Sequence, residues 1–476
     1  MLTRRSLLKT VGGSALAGAS PAATRPNILI LLTDDQRHDT IRALGNSEVR
    51  TPNMDRLARE GAAFTHASIM GGTVGAVCVP SRAMLLTGRT LFHVHDSIID
   101  RKTGRERPFH LFPEELRKTG YTTHGIGKWH NGPALYARCF TSGENVFFGG
   151  MSDQNRVPVQ DFDPSGEYPK ARQHIGAKPS SELFSDSAVN FLKNYREDKP
   201  FCLYVAYTSP HDPRTAPEPY ASLYKPEGVK LPKNFMPEHP FDNGEMKIRD
   251  EQLAPWPRTP EVVRKHIADY YAMVSHVDAQ IGRVLDALRQ TGREENTIVV
   301  FAGDNGLALG QHGLFGKQNV YEHSVRVPLI LRGPGVPRAR KCDSMVYLLD
   351  IYPTLCELAG ITAPPTLEGA SLVALLRDSK ARIRDSSFHA YRNVQRAVCT
   401  ERWKLIRYHV DGKQTKQLFD LKEDPWEMRN LAEDASQARR AGELDGLLRE
   451  WMKKTGDPAA AQFEAPPAPA LAARAE

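Results

Sequence analysis

Two acidic pairs each close an apolar run. Asn27–Thr33 (NILILLT) runs into Asp34 and Asp35, and Thr297–Ala302 (TIVVFA) runs through Gly303 into Asp304 and Asn305. Three carboxylates and one amide oxygen form a hard, all-oxygen donor set suited to Ca²⁺ or Mg²⁺. Brought together away from water, their negative charge demands a cation. Taken singly, each pair reads equally well as cap and turn residues. A second chemical feature is CVPSRAMLLTGR, Cys78–Arg89. Pro80 suits a first helical turn, so Cys78 is expected at a helix N-terminus, where free N–H groups and the helix dipole favour an anion. Arg82 lies one turn further on and can point back at the same spot. Cys78 then reads either as a reactive thiol of lowered pKa or as a small buried cysteine. Lys128 and His130 are two apart, and on an extended segment they project to one face. His211 precedes Pro213 after an apolar run, and its ordinary pKa near 6.5 suits proton transfer. Alone, each of these reads as readily as a solvated lysine or a structural histidine.

The elements that must position these residues alternate. NILILLTDD, Tyr121–Ile126, FCLYVAYTSPHDP, TIVVFAGDNG and VPLILRGPG read as buried strands ending in loops. TPNMDRLAREGAAF reads as a helix with Thr51 as cap and Pro52 first, PSRAMLLTGR as another, and Val262–Gln290 as a long one. Such alternation argues for an α/β fold with a mostly parallel sheet covered on both faces. Ligands then gather at the carboxyl ends of the strands, where the two acidic pairs can meet. Phe140–Lys178 and Lys225–Pro260 read as long surface excursions. After about Gly369 the texture changes to short antiparallel strands and a helix near Ala435–Lys454, a small α+β domain. The expected units are a leader over 1–24, a catalytic domain over 25–369, the α+β domain over 370–456 and a disordered tail over 457–476.

CVPSR followed by LTGR resembles the core of the formylglycine-dependent (type I) sulfatase family, of the alkaline-phosphatase-like superfamily. RPNILILLTDD, GYTTHGIGKWH, SPHDP, GDNGLALGQHGLFGKQNVYEHSVRVPLI and QLFDLKEDPWEMRNLA are similar to further segments of that family in order and spacing. The resemblance implies a large mixed, mostly parallel sheet between helices, followed by a smaller C-terminal antiparallel sheet. It implies oxidation of Cys78 to formylglycine by a formylglycine-generating enzyme, and one Ca²⁺, rather than Mg²⁺, held by Asp34, Asp35, Asp304, Asn305 and residue 78. Arg82 would steady the nucleophile and the metal ligands. Lys128 and Lys317 would hold sulfate oxygens, His130 would help remove a proton from the second hydroxyl of the hydrated aldehyde, expelling sulfate and restoring the aldehyde, and His211 would protonate the leaving alcohol. The implied activity is hydrolysis of a sulfate ester, of a sulfated carbohydrate before a small aryl ester. A phosphodiesterase or phosphonate monoester hydrolase of the same superfamily, a non-catalytic carbohydrate-binding relative and a plain thiol enzyme are the rivals. His95, His312, Asp153–His174 and Lys225–Arg258 are candidates for the pocket wall or for scaffold.

Composition narrows the classes. Of 476 residues 40% are hydrophobic and 25% charged, ordinary for a globular chain. The net charge is +7; Arg4, Arg5 and Lys9 stand in a first 24 residues without acids, which leaves +4, too little to imply nucleic acid. The six cysteines show no CxxC spacing, against a zinc or redox motif. No run reaches the roughly 20 apolar residues of a membrane span. The leader MLTRRSLLKTVGGSALAGASPAAT is similar to a twin-arginine export signal, cleaved near Ala22 or Ala23. The expected destination is the periplasm or the medium, by way of the twin-arginine machinery.

Overall fold

The computed structural model of the chain describes residues 25–94 and 109–464. The expected leader and His95 lie outside the described residues. Along the chain the strands are β1 (Asn27–Thr33), β2 (Ala62–Ser68), β3 (Gly71–Gly72), β4 (Thr122–Lys128), β5 (Ser142–Phe147), β6 (Pro158–Val159), β7 (His174–Ile175), β8 (Phe201–Ala206), β9 (Thr297–Gly303), β10 (Leu329–Arg332), β11 (Arg340–Tyr347), β12 (Ser386–Tyr391), β13 (Gln395–Thr400), β14 (Trp403–Val410) and β15 (Lys413–Asp420).

Eight of them form one sheet in the order β11-β2-β10-β9-β1-β8-β4-β5. It is mostly parallel; β10 alone runs against both its neighbours, β9 and β2. Every residue of β1 is buried, as a strand covered on both faces requires. Ile28, Ile30 and Leu32 face one apolar layer, Leu29 and Leu31 the other. The helix Cys78–Thr87 contributes Ala83, Met84, Leu85 and Leu86 to the first layer. The helix Pro260–Gln290 contributes Val277, Ile281, Val284, Leu285 and Leu288 to the second. β1 pairs in parallel with β8 on one side and β9 on the other, and Thr33 stands opposite Gly303. That register sets Asp34 beside Asp304.

The second sheet, β15-β14-β13-β12-β3, is antiparallel among its last four strands. Its fifth strand comes from the N-terminal region: Gly71 and Gly72 pair in parallel with Ala390 and Tyr391. Gly71 has φ +99°, and a Cβ there would stand 2.0 Å from the carbonyl oxygen of Ala390, so only glycine fits. The small sheet is therefore stitched to the segment that precedes Cys78.

Several expectations change. The helix begun at Pro52 stops at Glu60, because the next residues, Ala62–Ser68, are β2 in the large sheet. Thr51 occupies the cap position, but its hydroxyl donates to the Asp55 carboxylate instead of capping. The excursion from Phe140 contains the edge strand β5, whose register with β4 the polar sequence SGENVF did not suggest. All six cysteines are free and buried. Residues 457–464, expected to be disordered, are ordered: Asp457 holds Arg396 at 2.5 and 2.7 Å, Ala460–Glu464 is helical and Phe463 is 1% exposed, while the rest of the expected tail lies outside the described residues. The Arg396 guanidinium, fully buried, lies over the Phe463 and Phe92 rings. Asp457→Ala leaves that cation without its carboxylate, and the unfolding free energy is expected to fall by about 3–5 kcal/mol in urea titrations, whereas an exposed acid such as Glu433→Ala stays within about 0.5 kcal/mol.

Candidate active site

The site grows from the carboxyl ends of β1 and β9. The Asp35 backbone N–H donates to Asp304 Oδ1 at 3.0 Å, and Asn305 Nδ2 donates to Asp35 Oδ1 at 2.7 Å. Asp35 has φ 61°, a left-handed turn that carries its carboxylate across to the β9 loop. The Tyr270 hydroxyl, from the long helix, donates to the Asp35 carbonyl at 2.7 Å and fixes that turn. Asp34, Asp304 and Asn305 are 0% exposed and Asp35 2%.

Three cations answer the three carboxylates. Lys128 Nζ pairs with Asp34 and donates to the Gly150 carbonyl at 2.6 Å. Lys317 Nζ donates to Asp35 Oδ1 at 2.7 Å. Arg82 Nε donates to Asp304 Oδ2 at 2.8 Å and Nη1 to the Lys128 carbonyl at 2.5 Å. Burial pushes the Asp35 carboxyl up, but His211 and Lys317 outweigh it and hold the group well below the usual carboxylate range. Burial, with Asp34 adding to it, pushes Asp304 up to about 6 against the pull of Arg82. The Lys317 ammonium resists burial and stays well above its ordinary value because Asp35 faces it.

The donor set fits a divalent cation. Asp34 Oδ1 and Asn305 Oδ1 are buried and accept no hydrogen bond from the described residues. One ligand atom each of Asp34, Cys78 and Asp304 lies within 4.8 Å of the others, as does one each of Asp34, Asp35 and His211. Buried acceptors without donors are costly, and a hard cation satisfies both. Asp34, Asp35, Asp304 and Asn305 would hold it, and it would supply electrostatic stabilisation of negative charge developing on the substrate.

Cys78 opens the helix Cys78–Thr87, and Ser81 ties that helix to the metal loop by donating to the Asp304 carbonyl at 2.5 Å. Cys78 Sγ lies 3.3 Å from His130 Nδ1 and 3.7 Å from Lys128 Nζ. Burial pushes the thiol pKa up, more than Lys128 and Lys317 pull it down. The reading of a reactive thiol of lowered pKa is therefore corrected, because the first helical turn is packed under the sheet. Lys128 and His130 do share a target, but not by strand alternation: β4 ends at Lys128 and His130 turns back with φ 60°. Gly150 makes room for that turn, since a Cβ there would lie 2.7 Å from the His130 ring. Burial first, then Lys128 and Arg82, push His130 down to about 2, so its ring is neutral. His211 Nδ1 donates to the Asp212 carbonyl at 2.8 Å, which leaves Nε2 facing Asp35 at 3.6 Å.

All ten residues singled out in the sequence thus converge. His312 does not join them: its ring stacks on Tyr321 at 4.0 Å and its Nε2 donates to the Glu427 carbonyl at 2.9 Å, a scaffold role. The sequence offered no hint of Gln318, whose amide donates to the Gly75 carbonyl at 2.9 Å and to Asp250 at 2.7 Å, bracing the turn before Cys78. Nor did it indicate Arg249, which grips Asp212 at 2.5 and 3.0 Å. Both act across long loops, where no period marks a partner. Ser81 had a signal, one residue from Arg82 in the same helical turn.

Such a sheet, with a cation-ready carboxylate cluster facing a helix N-terminus, defines an alkaline-phosphatase-like hydrolase. A family model described as Sulfatase matches residues 26–361, and one described as N-sulphoglucosamine sulphohydrolase, C-terminal, matches residues 310–454. The chain belongs to the sulfatase family and is a sulfuric ester hydrolase. It is similar to the N-acetylglucosamine-6-O-sulfatase of Bacteroides thetaiotaomicron, 30% identical over 91% of this chain and 87% of that protein. It is also similar to the choline-sulfatase of Rhizobium meliloti, 29% identical over 93% of this chain and 90% of that one. A solved structure in complex with its substrate D-glucosamine-2-N,6-O-disulfate has a TM-score of 0.77 at 25% identity, covering 93% of this chain and 100% of that chain. The phosphonate monoester hydrolase of Agrobacterium radiobacter shares the fold, with a TM-score of 0.72 at 22% identity over 90% of this chain and 96% of that one.

The two orphaned oxygens make metal binding measurable without turnover. Ca²⁺ in large excess over a chelated control is expected to raise the melting temperature by about 3 °C or more, and Asp34→Asn or Asn305→Ala to reduce that rise below about 1 °C.

Proposed function

We propose that the protein hydrolyses a sulfate ester on a carbohydrate, giving the sugar alcohol and inorganic sulfate, with formylglycine at position 78 and one Ca²⁺. The convergence of Lys128, His130 and the carboxylate cluster on Cys78 Sγ is the observation that carries this reading. That Sγ stands in for the hydroxyl oxygens of hydrated formylglycine, and the modified residue would supply the oxygen that attacks sulfur. The bound ion would lower the cost of negative charge at the sulfate oxygens.

The chain's own groups do the rest. Lys128 and Lys317, already turned into the site, would hold the anionic oxygens of the ester. Arg82 keeps the first helical turn and the Asp304 loop in register, which orients residue 78. His130 Nδ1, 3.3 Å from the atom of residue 78, would take the proton of that residue's second hydroxyl, so that the bond from its carbon to the transferred sulfate oxygen breaks, sulfate leaves and the aldehyde re-forms. His211 Nε2, oriented by the hydrogen bond from Nδ1, would give a proton to the leaving sugar oxygen. Magnesium is the less favoured ion on the family resemblance alone, since oxygen ligands suit both.

A carbohydrate substrate is supported by the named activity of the Bacteroides thetaiotaomicron relative and by the sugar disulfate bound in the solved neighbour. The leader at 1–24 supports twin-arginine export to the periplasm or the medium, after modification of Cys78 by a formylglycine-generating enzyme in the cytoplasm. No helix among the described residues is long and apolar enough to cross a membrane.

In protein co-produced with a formylglycine-generating enzyme, peptide mass spectrometry is expected to find residue 78 with oxygen in place of sulfur. Cys78→Ala is expected to lower kcat/KM on a sulfate ester by about 10⁵-fold. Full activity in that variant, or faster hydrolysis of a matched aryl phosphodiester than of the aryl sulfate, would overturn the mechanism.

A further inference from the structure

Arg214 is a cation beside the active site that no anion claims among the described residues. Its Nη1 donates to His266 Nδ1 at 2.9 Å, while Nε and Nη2 are buried and meet no acceptor. The surrounding acids are already engaged. Arg249 grips Asp212 and also Asp250, the latter at 2.6 Å, and Lys317 holds Asp35 at 2.7 Å. His266 is no substitute for a carboxylate. Burial, then Arg214 itself, push its pKa down to about 4, so the ring is neutral, and its second nitrogen bonds to the Leu253 backbone.

Three observations put this guanidinium next to the chemistry. Arg214 follows His211 by three residues across Asp212 and Pro213. Tyr270 contacts the Asp35 carbonyl, and His266, to which Arg214 donates, lies one turn from Tyr270 on the same helix face, roughly 6 Å along it. The His266 ring packs on Phe315 at 4.9 Å, two residues before Lys317. The side chain is half-buried as a whole, and the two donors without an acceptor lie on its buried side. Burial pushes the guanidinium pKa down, with Asp212 and Asp35 too distant to pair but close enough to oppose it.

We infer that Arg214 anchors a subsite for a second anionic group of the substrate, a sulfate, sulfamate or carboxylate beside the sulfate ester that is cleaved. The inference rests on the sugar-sulfate reading above and deepens it. A guanidinium with two adjacent free N–H donors offers the planar fork that such groups accept in two parallel hydrogen bonds. A substrate carrying only the scissile sulfate leaves those donors unanswered, so the site discriminates by charge count as well as by position.

The test compares kcat/KM for the modified, Ca²⁺-loaded enzyme on D-glucosamine-6-O-sulfate, D-glucosamine-2-N,6-O-disulfate and a 6-O-sulfated disaccharide bearing a uronate carboxylate. Arg214→Gln is expected to lower the ratio of dianionic to monoanionic kcat/KM by about 10–100-fold, mainly through KM. Arg214→Lys, which keeps the charge and loses the fork, is expected to restore part of the ratio and guards against misfolding of the first variant. A fall confined to the disulfate assigns the subsite to sulfate or sulfamate, one confined to the uronate assigns it to carboxylate, and either supports the inference. A ratio unchanged on both dianionic substrates, or equal losses on all three, overturns it. Wild-type enzyme that hydrolyses 4-nitrophenyl sulfate but none of the sugars overturns the sugar reading itself, and the subsite with it.

Discussion

Three carboxylates are driven into one dry corner by strand register. Thr33 opposite Gly303 leaves no freedom: the residues after them, Asp34 and Asp304, emerge side by side, and Asp35 turns onto the same spot. Unpaired, such a cluster would not stay ionised in a fold of ordinary stability. Its neighbours follow from that constraint. Arg82 from the helix, Lys128 from the end of β4 and Lys317 from the loop after β9 each reach one acid. Two oxygens remain for an ion. In the proposed reaction the same positive groups would meet the anionic ester, so structural compensation and substrate recognition would use the same side chains.

The scaffold keeps those chains from relaxing. Both faces of β1 are packed, so its carboxyl end cannot shift without opening an apolar layer. The Tyr270 hydroxyl clamps the Asp35 turn from the second layer, and Ser81 clamps the Asp304 loop from the first. Close backbone approaches serve the same end: Gly150 lies against the His130 ring and its carbonyl accepts from Lys128. Preorganisation of this kind lets fixed charges act on a transition state without first rearranging.

Much of the site was legible because its residues end strands or open a helix. An apolar run stopping at Asp-Asp or Gly-Asp-Asn marks a carboxyl edge, and Cys-x-Pro marks a first turn. The four C-terminal strands of the small domain were legible too, as short apolar runs between turns. What sequence could not convey was contact across irregular chain. Strand β5 is half-exposed and polar, so no period betrayed it. The left-handed turn at His130 replaced an expected extended segment because Gly150 leaves space for it, a fact held 20 residues away. Of the two readings the helix terminus left open for Cys78, burial among elements far along the chain favours the buried cysteine, since it raises the thiol pKa. Phe463 and Asp457 looked like the start of a Pro- and Ala-rich tail, yet Arg396 needs the carboxylate.

The pairing of Gly71–Gly72 with β12 has a temporal side. Strand β12 is made more than 300 residues after the cysteine helix it helps to enclose, and in the finished molecule Cys78 is only 2% exposed. The proposed conversion of Cys78 by a second enzyme would therefore act most readily on a nascent or still-open chain, before the C-terminal sheet docks.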